Sequence, residues 1–189
     1  MALAFLALAL FAATQRVLSL DYTAQALVQG GRHPLLEVPM RALTRLGSGY
    51  VLAVLCVPGW FLLRLAGHPL QRALPAVVAG AFLLNLLTKW LVSRPRLRGT
   101  AYGFPSGHTL GAVIFFGAVI YVLWTSDVRR VWRWTGTVVA CLLVAGIAGG
   151  RLYLKVHWVS DVAGGLTGGA AYLLFVLVAI DRRFRAAST

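Results

Sequence analysis

Long apolar runs, separated by short polar connections, dominate this chain. An α-helix needs about 20 predominantly apolar residues to cross the hydrocarbon of a membrane. Five runs come close to that length, at about residues 50–66, 73–92, 108–125, 134–150 and 162–180. The pattern therefore predicts five membrane-spanning helices.

The N-terminal run "MALAFLALALFAAT" is shorter, because Gln15 and Arg16 interrupt it, although Val17, Leu18 and Leu20 extend its apolar character. A signal peptide would begin with a basic segment, which is missing here. We therefore expect a retained sixth helix.

Composition agrees with a membrane protein. Hydrophobic residues make up 59% of the chain and charged residues 12%, and the mean hydropathy is +0.79; these values exceed those of ordinary soluble domains. No Pro/Ser/Gly-rich linker, repeat or low-complexity tract divides the sequence. The prediction is an all-α fold: one domain over residues 1–189, an integral membrane bundle of about six transmembrane helices with its active site at one membrane surface.

The longest polar connection covers about residues 21–46. Its segment "LLEVPMRALTRL" predicts an interfacial amphipathic helix, which we expect Pro39 to break or kink. Cys56 and Cys141 both fall inside predicted spans, so we expect no disulfide.

Basic residues outnumber acidic ones, 18 to 5, for a formal charge of +13. They are spread over short loops, so anionic lipid head groups are simpler partners than nucleic acid. Lys and Arg are divided almost evenly between the two membrane sides. If several basic residues on one side hold a bound anion, they do not act as topology signals, and the other side is cytoplasmic. The basic C-terminal segment "DRRFR" supports a cytoplasmic C-terminus.

Several polar residues lie near span ends that face the same membrane surface if the spans alternate. These residues are Lys89, Arg96, Ser106, Gly107, His108, Arg151, His157 and Asp161. The cations among them predict a pocket for an anion with several charged oxygens, most plausibly a phosphate. The segment "PSGH" adds a helix N-terminus, with Ser106 as N-cap and Gly107 allowing a ligand close to the backbone.

Residue chemistry divides the two histidines of this cluster. His157 is followed four residues later by Asp161, which indicates a nucleophile or general base whose tautomer is fixed by a carboxylate. His108 has no acidic neighbour in sequence and is the better candidate for protonating a leaving oxygen. Of the five acidic residues only Asp161 belongs to the cluster, whereas two-metal sites need several carboxylates or histidines. We predict no metal and no cofactor.

Other polar residues have simpler interpretations. Lys155, Arg94 and Arg98 are expected to touch a second phosphate or a lipid head group, outside the core set. His33 and His68 fall in predicted loops without partners, so solvated surface positions are expected.

Three segments, "KWLVSRPR", "FPSGH" and "GRLYLKVHWVSD", resemble the three-part motif of the type 2 phosphatidic acid phosphatase family, which includes vanadium haloperoxidases, bacterial acid phosphatases and glucose-6-phosphatase. The family pattern is K-x6-R-P, then P-S-G-H, then S-R-x5-H-x3-D. The resemblance covers about residues 89–161 at motif level. Two positions depart from it: Leu97 stands where proline is usual, and Gly150 where serine is usual.

The resemblance implies that His157 attacks phosphorus to form a phosphohistidine, with Asp161 orienting it. His108 then protonates the leaving group and afterwards activates water. The remaining residues hold the phosphoryl oxygens: Lys89, Arg96, Ser106, Gly107 and Arg151. Gly150 removes one hydroxyl donor, while Leu97 alters the local turn.

An all-helical membrane bundle with a site at the surface points to a phosphate carried by a lipid. The resemblance offers undecaprenyl pyrophosphate, our leading choice, besides phosphatidylglycerophosphate, phosphatidic acid and lipid A phosphates. It also implies a bacterial inner membrane, and the charge distribution described above then predicts that the site is on the periplasmic side. A transporter would need charges at mid-bilayer. A non-catalytic lipid-binding protein would not need His108, His157 and Asp161 together. The glycine pairs in "DVAGGLTGGAAY" are best explained by close helix packing.

Overall fold

The computed structural model describes residues 1–97 and 102–186, with side chains up to residue 182. Most of these residues are helical, and within the described ranges the only β-pairing is an isolated bridge between Pro95 and Tyr102. In the described ranges the helices are α1 (Ala2–Ala13), α2 (Ser19–Gly30), α3 (Pro34–Arg45), α4 (Gly49–Leu65), α5 (Leu70–Val92), α6 (Gly107–Thr125), α7 (Arg130–Tyr153) and α8 (Val159–Ala186).

Four of the helices, α5 to α8, are long and apolar enough to cross a membrane. A fifth candidate span is the pair α3 and α4, which is bent by 50° at a short break. Helix α1 has 12 residues and is therefore only about 18 Å long, whereas the hydrocarbon layer is about 30 Å thick. The predicted all-α membrane fold is confirmed, and the predicted count of six spans is approximate because α1 is short.

The polar connection before α4 contains two helices. The predicted amphipathic helix is present as α3, but Pro39 does not end it. Proline removes one backbone N–H, so the main loss inside α3 is the bond to the Leu35 carbonyl. The chain turns instead at residues 46–48, around Gly47.

Helix α2 is held against the end of α7 by side-chain amides. Gln25 Nε2 donates to the Leu152 carbonyl at 3.1 Å, and Gln29 Nε2 donates to the Tyr153 carbonyl at 3.1 Å. The Tyr153 hydroxyl accepts from the His33 N–H at 2.8 Å and donates to the His33 carbonyl at 2.7 Å. These bonds satisfy carbonyls that the end of a helix leaves free, and they hold α2 and the start of α3 over one end of the bundle.

Helices α6 and α8 approach backbone to backbone. A Cβ atom placed on Gly165 would lie 2.8 Å from the Ser106 carbonyl oxygen, and one on Gly169 would lie 2.9 Å from the Leu110 carbonyl oxygen. Glycine is required at both positions because backbone cannot move aside as a side chain can. The predicted role of the glycine pairs in close packing is confirmed.

Helix α1 packs into the same region. The Phe5 ring fills the space over Gly168 and stacks on Phe104 with ring centroids 6.0 Å apart. Ala12 joins Phe104 and Val92 in a buried apolar cluster. The short first helix therefore supports the segment that precedes α6.

The expectation that His68 is a solvated surface residue is wrong. The residue is buried, its Nε2 lies 3.0 Å from the Thr125 hydroxyl, and its Nδ1 accepts from the Leu70 N–H at 3.2 Å. Burial lowers the pKa of His68, because the charged ring is poorly solvated there. His33 is exposed, as expected, and it caps α3 by accepting from the Leu35 N–H at 3.3 Å.

Candidate active site

The predicted cluster lies at one end of the bundle, where α5 and α7 end and α6 and α8 begin. Lys89 Nζ donates to the carbonyls of Tyr102 at 2.9 Å and Pro105 at 3.0 Å. Arg96 Nε donates to the Tyr102 carbonyl at 3.1 Å. The first motif segment is thus tied to the segment before α6. Arg98 lies outside the described residues.

Ser106 occupies the N-cap position of α6, as predicted, but its side chain does not cap the helix. It is fully buried, its hydroxyl accepts from the Thr109 hydroxyl at 3.0 Å, and its N–H donates to the Asp161 carbonyl at 2.9 Å. The first-turn N–H groups have no acceptor within a helix. Without a side-chain cap, they are left available to an acceptor, as they are at helix ends that bind anions.

Gly107 is needed because α5 comes close. A Cβ atom on Gly107 would lie 3.0 Å from Asn85 Oδ1, and that oxygen is buried without a hydrogen-bond partner among the described residues. The sequence interpretation missed Asn85. A polar amide inside an otherwise apolar span was the signal available for it.

His157 and Asp161 face each other, as their spacing predicts. His157 Nδ1 lies 3.4 Å from Asp161 Oδ2, and both side chains are fully buried. The Trp158 N–H donates to the same carboxylate oxygen at 3.0 Å. Within the described residues neither ring nitrogen of His157 makes a hydrogen bond, and Nε2 has no ionic partner either. One ring nitrogen therefore faces the carboxylate while the other is left without a protein partner.

Burial keeps His157 uncharged. It lowers the pKa of His157 to about 4, although the nearby Asp161 carboxylate opposes the shift. The charges of Arg151 and Arg96 lower this pKa further. At neutral pH the imidazole therefore has a free lone pair, which is the form that acts as a nucleophile or base.

Arg94 holds the other side of Asp161. Its Nη1 donates to Asp161 Oδ1 at 3.0 Å and to the Ser160 hydroxyl at 2.8 Å, and the residue is only 1% exposed. The expectation that Arg94 touches a head group or a second phosphate is wrong, because its guanidinium is enclosed by protein. Nothing in its sequence neighbourhood indicates that its guanidinium is buried.

Asp21, from the start of α2, completes this buried network. Its carboxylate lies 3.6 Å from Arg94 Nη2 and accepts from the Ser160 N–H and hydroxyl, each at 2.8 Å. Two carboxylates thus share one guanidinium, which gives each buried carboxylate a cationic partner. Asp21 and Ser160 were also missed, because a contact across 139 residues leaves no local signal.

His108 and Arg151 line an open cavity of about 310 Å³. Arg151 is 8% exposed, and its Nε has no partner in the described part of the chain. The charges of Arg151, Arg96 and Lys89 are near enough to act on His108. The eight predicted residues are therefore gathered around one site that has cations, two histidines and a helix N-terminus.

Gly150, one of the two departures from the family pattern, has a structural explanation. A Cβ atom there would overlap Thr44 Cγ2, so glycine allows α3 to lie directly on α7. For Leu97, the other departure, no contact explains the change.

The acidic and histidine side chains of the site do not form a ligand set for a metal. Across residues 1–97 and 102–182, no three His, Cys, Asp or Glu side chains are grouped closely enough to hold a metal ion. Cys56 and Cys141 are free thiols. Cations dominate the site, which favours an anionic ligand.

Comparisons with known proteins agree with this geometry. A family model described as PAP2 superfamily matches residues 70–185. Phosphatidylglycerophosphatase B of Bacillus subtilis is 32% identical over 188 residues, covering 92% of this chain and 89% of that protein. Lipid phosphate phosphatase delta of Arabidopsis thaliana is 37% identical over 127 residues, covering 57% of this chain but only 30% of the plant protein.

YbjG of Escherichia coli, provisionally named an undecaprenyl-diphosphatase, is 33% identical over 134 residues, covering 63% of this chain and 61% of that protein. The crystal structure of the PAP2-type phosphatidylglycerolphosphate phosphatase from Bacillus subtilis superposes with a TM-score of 0.82 at 24% identity, covering 95% of this chain and 94% of that one. At that identity the likeness concerns the fold. The family match over more than half of the chain, together with the near full-length bacterial relative, shows that this integral-membrane protein belongs to the PAP2 superfamily and to its membrane lipid phosphatases.

Proposed function

We propose that this protein removes a phosphoryl group from a membrane lipid through a phosphohistidine on His157, without a metal ion. The observation that carries the proposal is the state of His157, whose ring is buried and neutral and has one nitrogen facing Asp161 and the other without a protein partner. A buried imidazole aligned by a carboxylate and surrounded by cations suits attack on an anionic phosphorus centre.

In the first step Nε2 of His157 forms a bond to phosphorus while the bond from phosphorus to the leaving oxygen breaks. His108 gives that oxygen a proton. Asp161 accepts a hydrogen bond from the Nδ1 proton and stabilises the positive charge that develops on the ring. Lys89, Arg96 and Arg151 hold the phosphoryl oxygens, together with the first-turn N–H groups at Ser106 and Gly107.

In the second step His108, now neutral, takes a proton from water. The resulting hydroxide attacks phosphorus, the phosphorus–nitrogen bond breaks, and its electron pair returns to His157. Inorganic phosphate leaves, and both histidines regain their starting protonation. No redox partner or metal ion enters this sequence.

Undecaprenyl pyrophosphate is our leading substrate. The provisional name of YbjG supports it, and so does the room in the cavity for more than one phosphoryl group. The second candidate is phosphatidylglycerophosphate, which is favoured by the nearly full-length likeness to the Bacillus phosphatidylglycerophosphatase B.

We further propose that the active-site end faces the periplasm of a bacterial inner membrane and that the C-terminus is cytoplasmic. At the site end Arg94 is buried, and Lys89, Arg96 and Arg151 are proposed to hold the substrate phosphate, so these four do not act as topology signals. At the opposite end α4 finishes with Arg64 and α7 starts with Arg130, and more arginines lie beside both. An excess of accessible basic residues marks a cytoplasmic surface.

Phosphate release tests the proposal. Detergent-purified protein is assayed with EDTA on undecaprenyl pyrophosphate, phosphatidylglycerophosphate and phosphatidic acid, alongside His157→Ala. We expect release that survives EDTA and disappears in the variant, with the pyrophosphate fastest. Release abolished by EDTA and restored by a divalent cation would contradict the metal-independent mechanism. No release from any lipid would contradict the phosphatase proposal itself.

A further inference from the structure

Helix α3 forms one wall of the active-site cavity and brings two arginines to it. The cavity is lined by Arg41, Thr44 and Arg45 of α3, opposite His108 and Arg151, with Leu154 and Val156 beside them. Arg41 and Arg45 are four residues apart, so they lie on one face of the helix. The family motif does not include these positions.

Close packing fixes this wall against the site. A Cβ atom on Gly146 would lie 2.7 Å from Leu43 Cδ2, and one on Gly150 would overlap Thr44. A Cβ atom on Gly47 would lie 3.0 Å from the His108 carbonyl oxygen. Three glycines therefore let α3 and the turn after it reach α7 and the start of α6.

The α3 wall has more positive than negative charge. Glu37 is its acidic residue, and it is shared between Arg41 and Arg32, whose Nη2 lies 2.9 Å from Glu37 Oε2. Arg45 has no acidic partner among the described residues and is exposed. The guanidinium of Arg45 is therefore available to an anion in the cavity, and Arg41 can exchange Glu37 for one.

Beside His108 and Arg151 the cavity has room for a second phosphoryl group. Its volume is about 310 Å³. If each of four oxygens fills about the volume of one water molecule, a phosphoryl group needs on the order of 120 Å³. Lys89, Arg96 and Arg151 already provide for the group that His157 attacks. Two further arginines across the cavity exceed the need of a single phosphate.

We propose that Arg41 and Arg45 bind a second phosphate of the substrate, on the leaving-group side of the bond that breaks. This inference rests on the proposed phosphatase function and narrows it to lipid diphosphates. His108 is the proposed proton donor to the leaving group, and the two arginines share its cavity. The phosphate that they bind is therefore part of the leaving group and remains attached to the lipid. Their charge stabilises the leaving phosphate as the bond to the transferred phosphorus breaks.

Arg41 and Arg45 could equally bind the phosphate of a neighbouring anionic lipid. The test therefore separates a phosphate of the substrate from a phosphate of a bulk lipid. The wild type and an Arg41→Gln/Arg45→Gln double variant are assayed on farnesyl diphosphate and farnesyl monophosphate in a neutral detergent without added lipid. We expect the ratio of kcat/KM for diphosphate over monophosphate to fall at least tenfold in the double variant. Arg41→Lys/Arg45→Lys should keep most of the ratio.

The matched control is Arg129→Gln/Arg130→Gln, two exposed arginines at the opposite end, which should leave the ratio unchanged. An unchanged ratio in the α3 variant, with good activity on both substrates, would overturn the inference while leaving the phosphatase function intact. Loss of activity confined to phosphatidylglycerol-containing vesicles would assign the arginines to a bulk lipid and would also overturn it.

A binding measurement tests the second phosphate site without requiring catalytic activity. In His157→Ala, which cannot be phosphorylated, the melting temperature is followed with inorganic pyrophosphate or inorganic phosphate. Pyrophosphate should stabilise this protein more than phosphate does, and adding the α3 substitutions should remove the difference. Equal stabilisation by both anions before the α3 residues are changed would contradict a second phosphate site.

Discussion

Arg94 Nη1 lies 3.0 Å from Asp161 Oδ1, and neither side chain is accessible to solvent. The opposite oxygen of the same carboxylate faces His157 Nδ1. Arg94 thus fixes the carboxylate that orients the proposed nucleophile, and Asp21 of α2 holds the guanidinium from its other side. Through these contacts α2, near the N-terminus, supports the position of the proposed nucleophile His157.

Arg94→Gln should impair catalysis more than substrate binding. Without the guanidinium, Asp161 and Asp21 become buried carboxylates without a cation, which typically costs about 3–5 kcal/mol of stability. We expect the folded fraction of the variant to have a kcat reduced at least 100-fold with KM changed less than threefold. The measurement is steady-state kinetics normalised to folded protein, together with the melting temperature.

Ser160→Ala is the milder comparison for that experiment, because it keeps the ion pair and removes only the hydroxyl. It should lower kcat less than tenfold. If Arg94→Gln raised KM and left kcat unchanged, the loss would lie in substrate binding. Arg94 would then not position the nucleophile.

Gly150→Ser restores the serine that is usual in the family pattern, yet it should destabilise the protein here. The new Cβ overlaps Thr44, so α3 must move away from α7, at a typical overpacking cost of about 1–3 kcal/mol. Gly149→Ser is a matched control, since a Cβ there meets nothing within 4 Å. Melting temperatures of both variants check this, and equal values would show that α3 does not depend on glycine at position 150.

Gly165→Ala should destabilise the bundle by about 1–3 kcal/mol, because the added methyl group meets backbone of α6. Its Cβ would lie 2.8 Å from the Ser106 carbonyl oxygen and 3.1 Å from the Leu110 nitrogen. Gly59→Ala in α4, where a Cβ has open space, should cause no loss. Thermal unfolding in one detergent compares them. A Gly165→Ala protein as stable as the Gly59→Ala protein would contradict the close α6–α8 contact.

Acid should destabilise the protein partly through His157. The pKa of His157 is about 4 in the folded state and near 6.5 when the residue is solvated. Below pH 6.5 the unfolded chain binds the proton more readily, so stability falls as the pH drops from about 6.5 to about 4, by on the order of 3 kcal/mol. Above pH 6.5 the residue contributes no pH dependence.

The measurement is the melting temperature of wild type and His157→Gln between pH 7.5 and pH 4. Gln has no charge to gain, so the variant should lose less stability over that window. His68, whose pKa burial also lowers, is present in both proteins, so its effect cancels in the comparison. Identical losses in both proteins would mean that His157 is not held neutral by burial.

The sequence predicted the parts of the fold and site that depend on local patterns. Apolar runs located α4 to α8 closely, because lipid demands a minimum length of apolar helix. The positions of Lys89, Ser106, Arg151 and His157 near span ends followed from alternation of the spans. The glycines of α8 likewise identified a helix contact, because small residues recur there at helical spacing.

What the sequence did not reveal depends on contacts between distant segments. Arg94 and Asp21 are charged residues of the kind usually found at the surface, and only the tertiary structure brings them together in the interior. Asn85 was missed because its environment depends on how close α6 comes to α5. The position of α3 over the cavity depends on glycines of another helix, which no local pattern connects to Arg41 or Arg45.

The central claim is that His157 becomes phosphorylated, and rapid-quench trapping tests it most directly. The protein is mixed with a lipid substrate labelled in its terminal phosphate and quenched in alkali, and label on the protein is located by peptide mass spectrometry. We predict alkali-stable, acid-labile label on His157 that accumulates further in His108→Ala, because hydrolysis of the intermediate needs the base. Phosphate release by the wild type without any labelled protein, or label that persists in His157→Ala, would contradict the account.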